Sequence, residues 1–485
     1  MNEFRQDTEF EIYGHFVNAG RSLDEGVTGK IIYKKDSLVN RLELEIYGEL
    51  FGTGLKSNLE GFNKSYKIIG FTSNGFTVII DKAVKISGRE SYPGIPFAKY
   101  GITKCLFLGI NYNKNFDLIS NKLSGIGIDN LKVKSCEYSI AGIDEWIDET
   151  NVCYDVVEKK YRYEVDIDKV SEDNYLIKDA NLKLSSGFEI KTGRTGFKEN
   201  FYWNVESIDN QDLNIKYIVD KLKIFKELLD IFITVPIDFS YLKFKIPIEQ
   251  MDNKLVTGYL VSGRINTPNY RKINTDIPYT KIKANFEDIL CNWYQKRNKL
   301  ALISQNFNIN KYSYQYNQSI LLNSIKNLEI YHRNFVEQKK NIDDNFNIDR
   351  EAVLEFINKN IKNENHRKNF ERNINFDSEM TLNKRLKELF RSLDDSILNK
   401  LVQYQSGCRS DRIGKFVQKL VNTRNYYTHG DPEALEDMVI IDNVELIETT
   451  IFINQIIRYY ICKELFEPDD EIIDIIIAGM NGVIK

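Results

Sequence analysis

The stretch "GKFVQKLVNTRNYYTHGDP", residues 414–432, decides how the second half of the chain is read. Ile413, Phe416, Val417, Leu420 and Val421 recur at the spacing of one helical face. Three to four residues further on, the same face reaches Arg424 and then Tyr427. A guanidinium where a core side chain belongs must be paired, or must face a cavity or a partner. The helix is predicted to end at His429, because Gly430 suits a left-handed cap and Pro432 blocks continuation. Five residues turn a helix by about 500°, which leaves Arg424 and His429 roughly 140° apart and about 7.5 Å apart along the axis. One such helix cannot readily close both groups around one phosphate. Two copies meeting across a two-fold axis can.

Outward from this helix, the text after residue 280 stays helical. Phe286, Ile289 and Trp293 mark one amphipathic segment, and Leu321, Ile325, Leu328, His332 and Phe335 a second. "REAVLEFINKNI" is a short third, Leu382, Leu386, Leu389 and Leu393 define a fourth, and the helix of Arg424 is the fifth. Ile447, Ile451, Tyr460 and Ile461 give a sixth, so the half reads as an all-α bundle.

The first half reads as β. "RLELEIYGEL" alternates Leu42, Leu44 and Ile46 against Arg41, Glu43 and Glu45, the period of a half-buried strand. Further β-branched or apolar runs follow, among them "GFTVIIDKAVKISG", "ITKCLFLGINY", "NLKVKSCEYSI", "FKENFYWNVES" and "YLKFKIPIEQ", separated by turn-forming clusters. One helix interrupts them, marked by Ile218, Leu222, Phe225, Leu229 and Phe232. The expected class is therefore α+β: a sandwich or curved antiparallel sheet with one helix over 1–270, then the bundle over 280–485. The two-proline loop 263–281 separates them, and a division of the first half into two lobes near 150 is one option.

Composition narrows the function classes. The 485 residues carry 66 Lys and Arg against 70 Asp and Glu, a net charge of −4, so any nucleic-acid surface is a local patch. The six cysteines contain no CxxC pair, and with four histidines they give no zinc-finger spacing; no metal and no cofactor is expected. The N-terminus lacks the apolar run of a signal peptide, and no run of about 18 apolar residues occurs, so a cytoplasmic protein without a membrane span is expected.

The chemistry that suits Arg424 with His429 is metal-independent RNA cleavage. The RNA 2′-hydroxyl is an internal nucleophile whose proton a histidine can take. The charge that builds on the phosphorane is met by the planar fork of an arginine. The products would be a 2′,3′-cyclic phosphate and a 5′-hydroxyl, and DNA would not be cut. The run Arg424, Asn425, Tyr426, Tyr427, Thr428, His429 resembles the motif of the HEPN superfamily: an arginine, a polar residue, three more residues, then histidine. The layout, a β-rich half followed by this bundle, is similar to the ApeA family of anti-phage abortive-infection proteins. The resemblance implies a dimeric ribonuclease in which Arg424 and His429 are catalytic and Asn425 supports them. It also implies a homodimer or higher even-numbered oligomer, cleavage of host RNA (tRNA is one candidate) and a phage-derived trigger. The alternative is a non-catalytic dimerisation protein with a ligand-binding β domain.

Other residues are weighed beside this pair. Glu329, one turn before His332, is a candidate to pair with Arg424 or to orient Arg424 or His429. His332 sits on an apolar stripe, where a satisfied core histidine competes with a supporting catalytic role. Arg409, Arg412, Lys415 and Lys419 are candidates for RNA phosphates, with a solvated helix face as the plainer reading. Lys362, Arg367, Lys368 and Arg372 form a second basic cluster. Tyr427 is a core or dimer contact, or a base-stacking residue. The segment 87–101 has the Gly-Pro character of a binding loop or of an ordinary connector. Asp144, Glu145, Asp148 and Glu149 are an acidic cluster for which metal binding competes with a solvated surface.

Overall fold

The computed structural model describes residues 4–35, 37, 41–51, 64–89, 94–110, 124–157, 160–165, 172–193, 196–248, 253–263, 276–312, 317–336, 344–376, 380–402, 409–430 and 440–481. The chain forms two compact units, Met1–Gln295 and Lys296–Lys485. Pro432 and most of the 263–281 loop lie outside the described residues.

In the first unit, β1 (Phe10–Asn18), β2 (Val27–Tyr33), β3 (Leu42–Tyr47), β4 (Ser65–Thr72), β5 (Thr77–Arg89) and β6 (Phe97–Ile102) pair antiparallel in the order β5-β4-β1-β2-β3-β6. The additional pairing of β6 with β5 closes the sheet into a barrel. Leu42, Leu44 and Ile46 point inward as the alternation of β3 predicts, and join Phe16, Ile31, Ile68 and Val78 in the barrel core. Gly70 leaves room for the ring of Phe16: a Cβ there would stand 2.4 Å from Phe16 Cδ1. Outside, the register lines up Tyr13, Lys30, Glu45 and Lys99 on successive strands. Lys30 and Lys99 both pair with Glu45, at 3.5 and 3.0 Å. Burial pushes the Glu45 carboxyl up, but the bond to Lys99, the charges of Lys99 and Lys30 and the bond from Tyr47 together outweigh that and hold it below the usual carboxylate range.

β5 is long enough to serve two sheets. Its first half also pairs with β7 (Lys104–Leu108), from which the sheet runs on through β17 (Lys254–Ser262), β16 (Phe239–Ile248), β9 (Ser135–Ile140), β14 (Gly196–Ser207), β13 (Leu182–Gly193) and β12 (Asn174–Ile177). Two small antiparallel pairs stand apart: β8 (Lys132–Val133) with β15 (Leu213–Asn214), and β10 (Val152–Val157) with β11 (Lys160–Val165). Of the segment 87–101, residues 87–89 of β5 pair with 97–99 of β6, Tyr100 and Gly101 pair with Lys85 and Val84 of β5, and 90–93 lie outside the described residues.

The short helix α1 (Ile143–Ile147) and α2 (Ile215–Phe232) cover the second sheet. Phe225 of α2 packs edge-on to Tyr138 and Trp203. The helix α3 (Phe286–Gln295) belongs to this unit rather than to the bundle. Phe286 is fully buried among Trp146, Tyr175, Trp203, Phe225 and Tyr279. The Trp293 indole donates to the Ile224 carbonyl at 2.8 Å. Its periodicity identifies a helix correctly, but periodicity does not say which core the apolar face enters.

The second unit comprises α4 (Arg297–Tyr312), α5 (Gln318–Phe335), α6 (Asp344–Asn360), α7 (Glu364–Phe376), α8 (Leu382–Arg391), α9 (Asp395–Val402), α10 (Arg409–His429), α11 (Asn443–Leu465) and α12 (Asp470–Asn481). α5 is central and packs on α4, α8, α10 and α11. Asn317 caps α5 by accepting the Ile320 N–H at 3.1 Å, and the Thr381 hydroxyl caps α8. The seam between α4, α5 and α11 is polar. Asn306 donates to Asn327 at 2.9 Å, Asn310 donates to Ser324 at 2.9 Å, and Ser324 donates to Asn454 at 2.8 Å. A buried Asn–Ser seam weakens the apolar stripe of α4, which is why periodicity passes that helix over.

Candidate functional site

α10 carries the site. Ile413, Val417 and Leu420 are buried, Phe416 is half-buried, and in the last turn Thr423 takes the buried position. The Thr423 hydroxyl donates to the Lys419 carbonyl at 2.7 Å and accepts the Ile441 N–H at 2.9 Å, so it ties the returning chain to the helix. Arg424, expected on the core-facing stripe, instead stands half-buried at its rim. Near a helix end a small hydroxyl can bond backbone from inside the core, whereas a guanidinium reaches toward water.

Arg424 Nη1 donates to Asn425 Oδ1 at 3.1 Å, and among the described residues no carboxylate meets it. The Thr428 hydroxyl donates to the Arg424 carbonyl at 2.6 Å. His429 is exposed on the final residue of α10, and Gly430 follows at φ 66°, the left-handed cap its sequence predicts. The Gly430 N–H closes the helix on the Tyr426 carbonyl at 2.8 Å. Tyr427 is half-buried, edge-on to Tyr426 at 5.1 Å. Arg424, Asn425 and His429 are thus brought to one accessible helix end.

Glu329 is elsewhere engaged: it accepts two bonds from Arg333 on the same helix, at 3.0 and 3.2 Å. His332 is fully buried, with Nδ1 3.2 Å from Arg385 Nη1 and Nε2 2.9 Å from Glu388 Oε2. Arginine can only donate, so Nδ1 accepts and Nε2 carries the proton toward Glu388; this is the neutral tautomer of a satisfied core histidine. Arg385 itself is buried and donates from Nε to the Met380 carbonyl at 2.9 Å. The sequence reading missed Arg385 and Glu388. The signal was a second arginine one residue before Leu386, inside an apolar stripe.

The basic candidates upstream differ in their surroundings. Arg409 pairs with Asp395 at 2.6 Å, and Lys419 pairs with Glu445. Arg412 is half-buried. Lys415 is exposed and meets no acid among the described residues. The acidic cluster near Trp146 is drawn into local structure: Asp144 accepts the Phe201 N–H at 2.7 Å, and Glu149 pairs with Lys283 at 3.2 Å. The described residues bring together no group of three or more His, Cys, Asp or Glu that could hold a metal ion. No described helix is long and apolar enough to cross a membrane.

Residues 322–470 match the family description Apea-like HEPN, and residues 11–293 match ApeA N-terminal domain 1. No curated protein and no solved structure matches the chain. The second match stops two residues short of the boundary between the compact units, and the first encloses the whole of α10. Since the N-terminal match alone spans more than half of the residues, and the helical match follows it in order, the chain belongs to the ApeA family.

Proposed function

We propose that the protein is an anti-phage abortive-infection effector whose helical unit is a metal-independent endoribonuclease. Membership of the family implies anti-phage defence with a HEPN nuclease domain. The observation that carries the finer reading is the pairing at the end of α10 of a half-buried guanidinium, held by Asn425, with an exposed imidazole. In this scheme His429 takes the 2′-hydroxyl proton, the oxygen attacks the adjacent phosphorus, and Arg424 meets the charge on the phosphorane. The P–O5′ bond breaks and the leaving 5′-oxygen takes a proton from water, giving a 2′,3′-cyclic phosphate and a 5′-hydroxyl, while the protonated His429 returns its proton to solvent. Asn425 positions Arg424. Since the two side chains diverge around their helix, each site is composed of groups from two copies. Lys415 is the best placed of the upstream cations to hold an RNA phosphate, because Arg409 and Lys419 already face acids.

The test is incubation of the purified full-length protein with total RNA in EDTA, with the cut ends mapped. Cleavage with cyclic-phosphate ends, lost in both Arg424→Ala and His429→Ala, is the expected result. Wild-type protein that leaves RNA intact under these conditions and in divalent metal, yet still dimerises, would favour the non-catalytic reading.

A further inference from the structure

The face of α10 that ends at His429 is a polar stripe. Lys415, Gln418, Asn422, Asn425 and His429 follow one another at steps of three and four residues, which keeps them on one side of the helix. The stripe stands opposite Leu420, which enters the core, so it faces away from the bundle. Gln418 and His429 are exposed, and Asn422 and Asn425 are half-buried. From Gln418 to His429 the stripe runs about 16 Å and carries neither carboxylate nor ammonium. Lys419, beside it, is paired with Glu445. Asp411, one step beyond Lys415, bounds the stripe with a negative charge.

The amides of this stripe are held in place. Asn383 of α8 donates from Nδ2 to Gln418 Oε1 at 2.8 Å, and Gln418 Nε2 donates to Asn422 Oδ1 at 2.7 Å. A lone exposed amide turns over and presents oxygen or nitrogen indifferently. Gln418 and Asn422 can reverse only together with Asn383, so the ladder displays a fixed order of donor and acceptor. An amide has two hydrogens and two lone pairs, and among the described residues Gln418 uses one of each, which leaves one of each for a ligand.

A ribose whose 2′-hydroxyl meets His429 places its neighbouring nucleotides on either side of the imidazole. On one side they reach Asn425, Asn422 and Gln418 before Lys415 can take a phosphate. Single-stranded RNA is read through hydrogen bonds to unstacked base edges, and an amide held in place can bond one such edge twice. The stripe itself holds no apolar or aromatic side chain to anchor a protein partner.

We propose that Gln418 and Asn422 select the base beside the cut by reading unstacked bases of single-stranded RNA. This rests on the ribonuclease reading of Arg424 and His429 and adds its substrate preference. The test titrates full-length protein, by fluorescence anisotropy, with 2′-O-methyl decamers of A, C and U, which carry no free 2′-hydroxyl and stay intact. Wild type is expected to prefer one base by at least about fivefold. Gln418→Ala and Asn422→Ala are expected to bring that ratio close to one with circular dichroism unchanged. The same proteins then cut a random-sequence RNA in EDTA, and the bases flanking the cuts are counted. The bias of wild type is expected to vanish in both variants. A wild type without base preference in both assays, or variants that keep it in either, overturns the proposal. A lower melting temperature with the preference intact also overturns it, since the ladder then only steadies the helix. Base-selective binding without cleavage refutes the ribonuclease alone, and cleavage without base preference refutes the amide reading alone.

Discussion

Replacing His332 with leucine separates a structural histidine from a catalytic one. The imidazole is fully buried and satisfies two partners, Arg385 through Nδ1 and Glu388 through Nε2. Leucine fills most of the volume but accepts nothing, so Arg385 Nη1 loses its bond inside the unit. A buried hydrogen bond to a charged group contributes about 1.5–3 kcal/mol, and the full burial of the Arg385 guanidinium places this one at the upper end of that range. The second bond counts for less, because the Glu388 side chain is 47% exposed and water replaces the imidazole there; about 0.5 kcal/mol is reasonable for it. The expected loss is about 3 kcal/mol, which for a unit of this size lowers its melting temperature by roughly 6–12 °C. Calorimetry reads the transition, and RNA cleavage at 20 °C, normalised to folded protein, reads the site. The expected pair is a large loss of stability with cleavage within about threefold of wild type, since 1.4 kcal/mol is a factor of ten and none of the loss is assigned to the transition state. An unchanged melting temperature with a hundredfold loss of rate would refute this argument and move His332 into the catalytic group.

Two further outcomes test the first unit. Gly70→Ala puts a methyl group 2.4 Å from Phe16 Cδ1 inside the barrel and should cost about 1–3 kcal/mol, read as a lower urea midpoint at unchanged slope; a neutral result would mean that the Phe16 ring moves freely. Burial pushes the hydroxyls of Tyr100 and Tyr175 up to about 12, while the unfolded chain titrates near 10. Above pH 10 the unfolded state gives up these protons first, so the stability they contribute is complete below pH 10 and is lost progressively toward pH 12. Tyr100→Phe should flatten that alkaline decline in urea midpoint, and an unchanged slope would count against the burial argument.

Local periodicity made the elements legible, and packing decided the rest. The alternation in β3, the helical stripe of α2 and the Gly430 stop of α10 are each set by residues within a few positions of one another, so the sequence displays them. Closure of the barrel depends on β5 pairing at different points along its length with β4, β6 and β7, a choice made between distant segments. The assignment of α3 to the first unit rests on where Phe286 finds its aromatic neighbours, and that too is not written in the helix itself. At the site, the sequence named Arg424, Asn425 and His429. It did not foresee that Thr423 would take the inward place, because a threonine bonding backbone leaves no apolar mark.

The sharing of β5 between barrel and open sheet has a consequence for anyone dissecting the molecule. Thr77–Ile80 has β4 on one side and β7 on the other, so no cut through the first unit leaves two satisfied pieces. A fragment stopping after Leu108 would present the bare rim of β7, deprived of the hydrogen bonds that β17 supplies from 150 residues further on. Such an uncovered rim recruits strands from other molecules. Truncations in that region should therefore precipitate on expression, whereas separation near Gln295 spares every ladder.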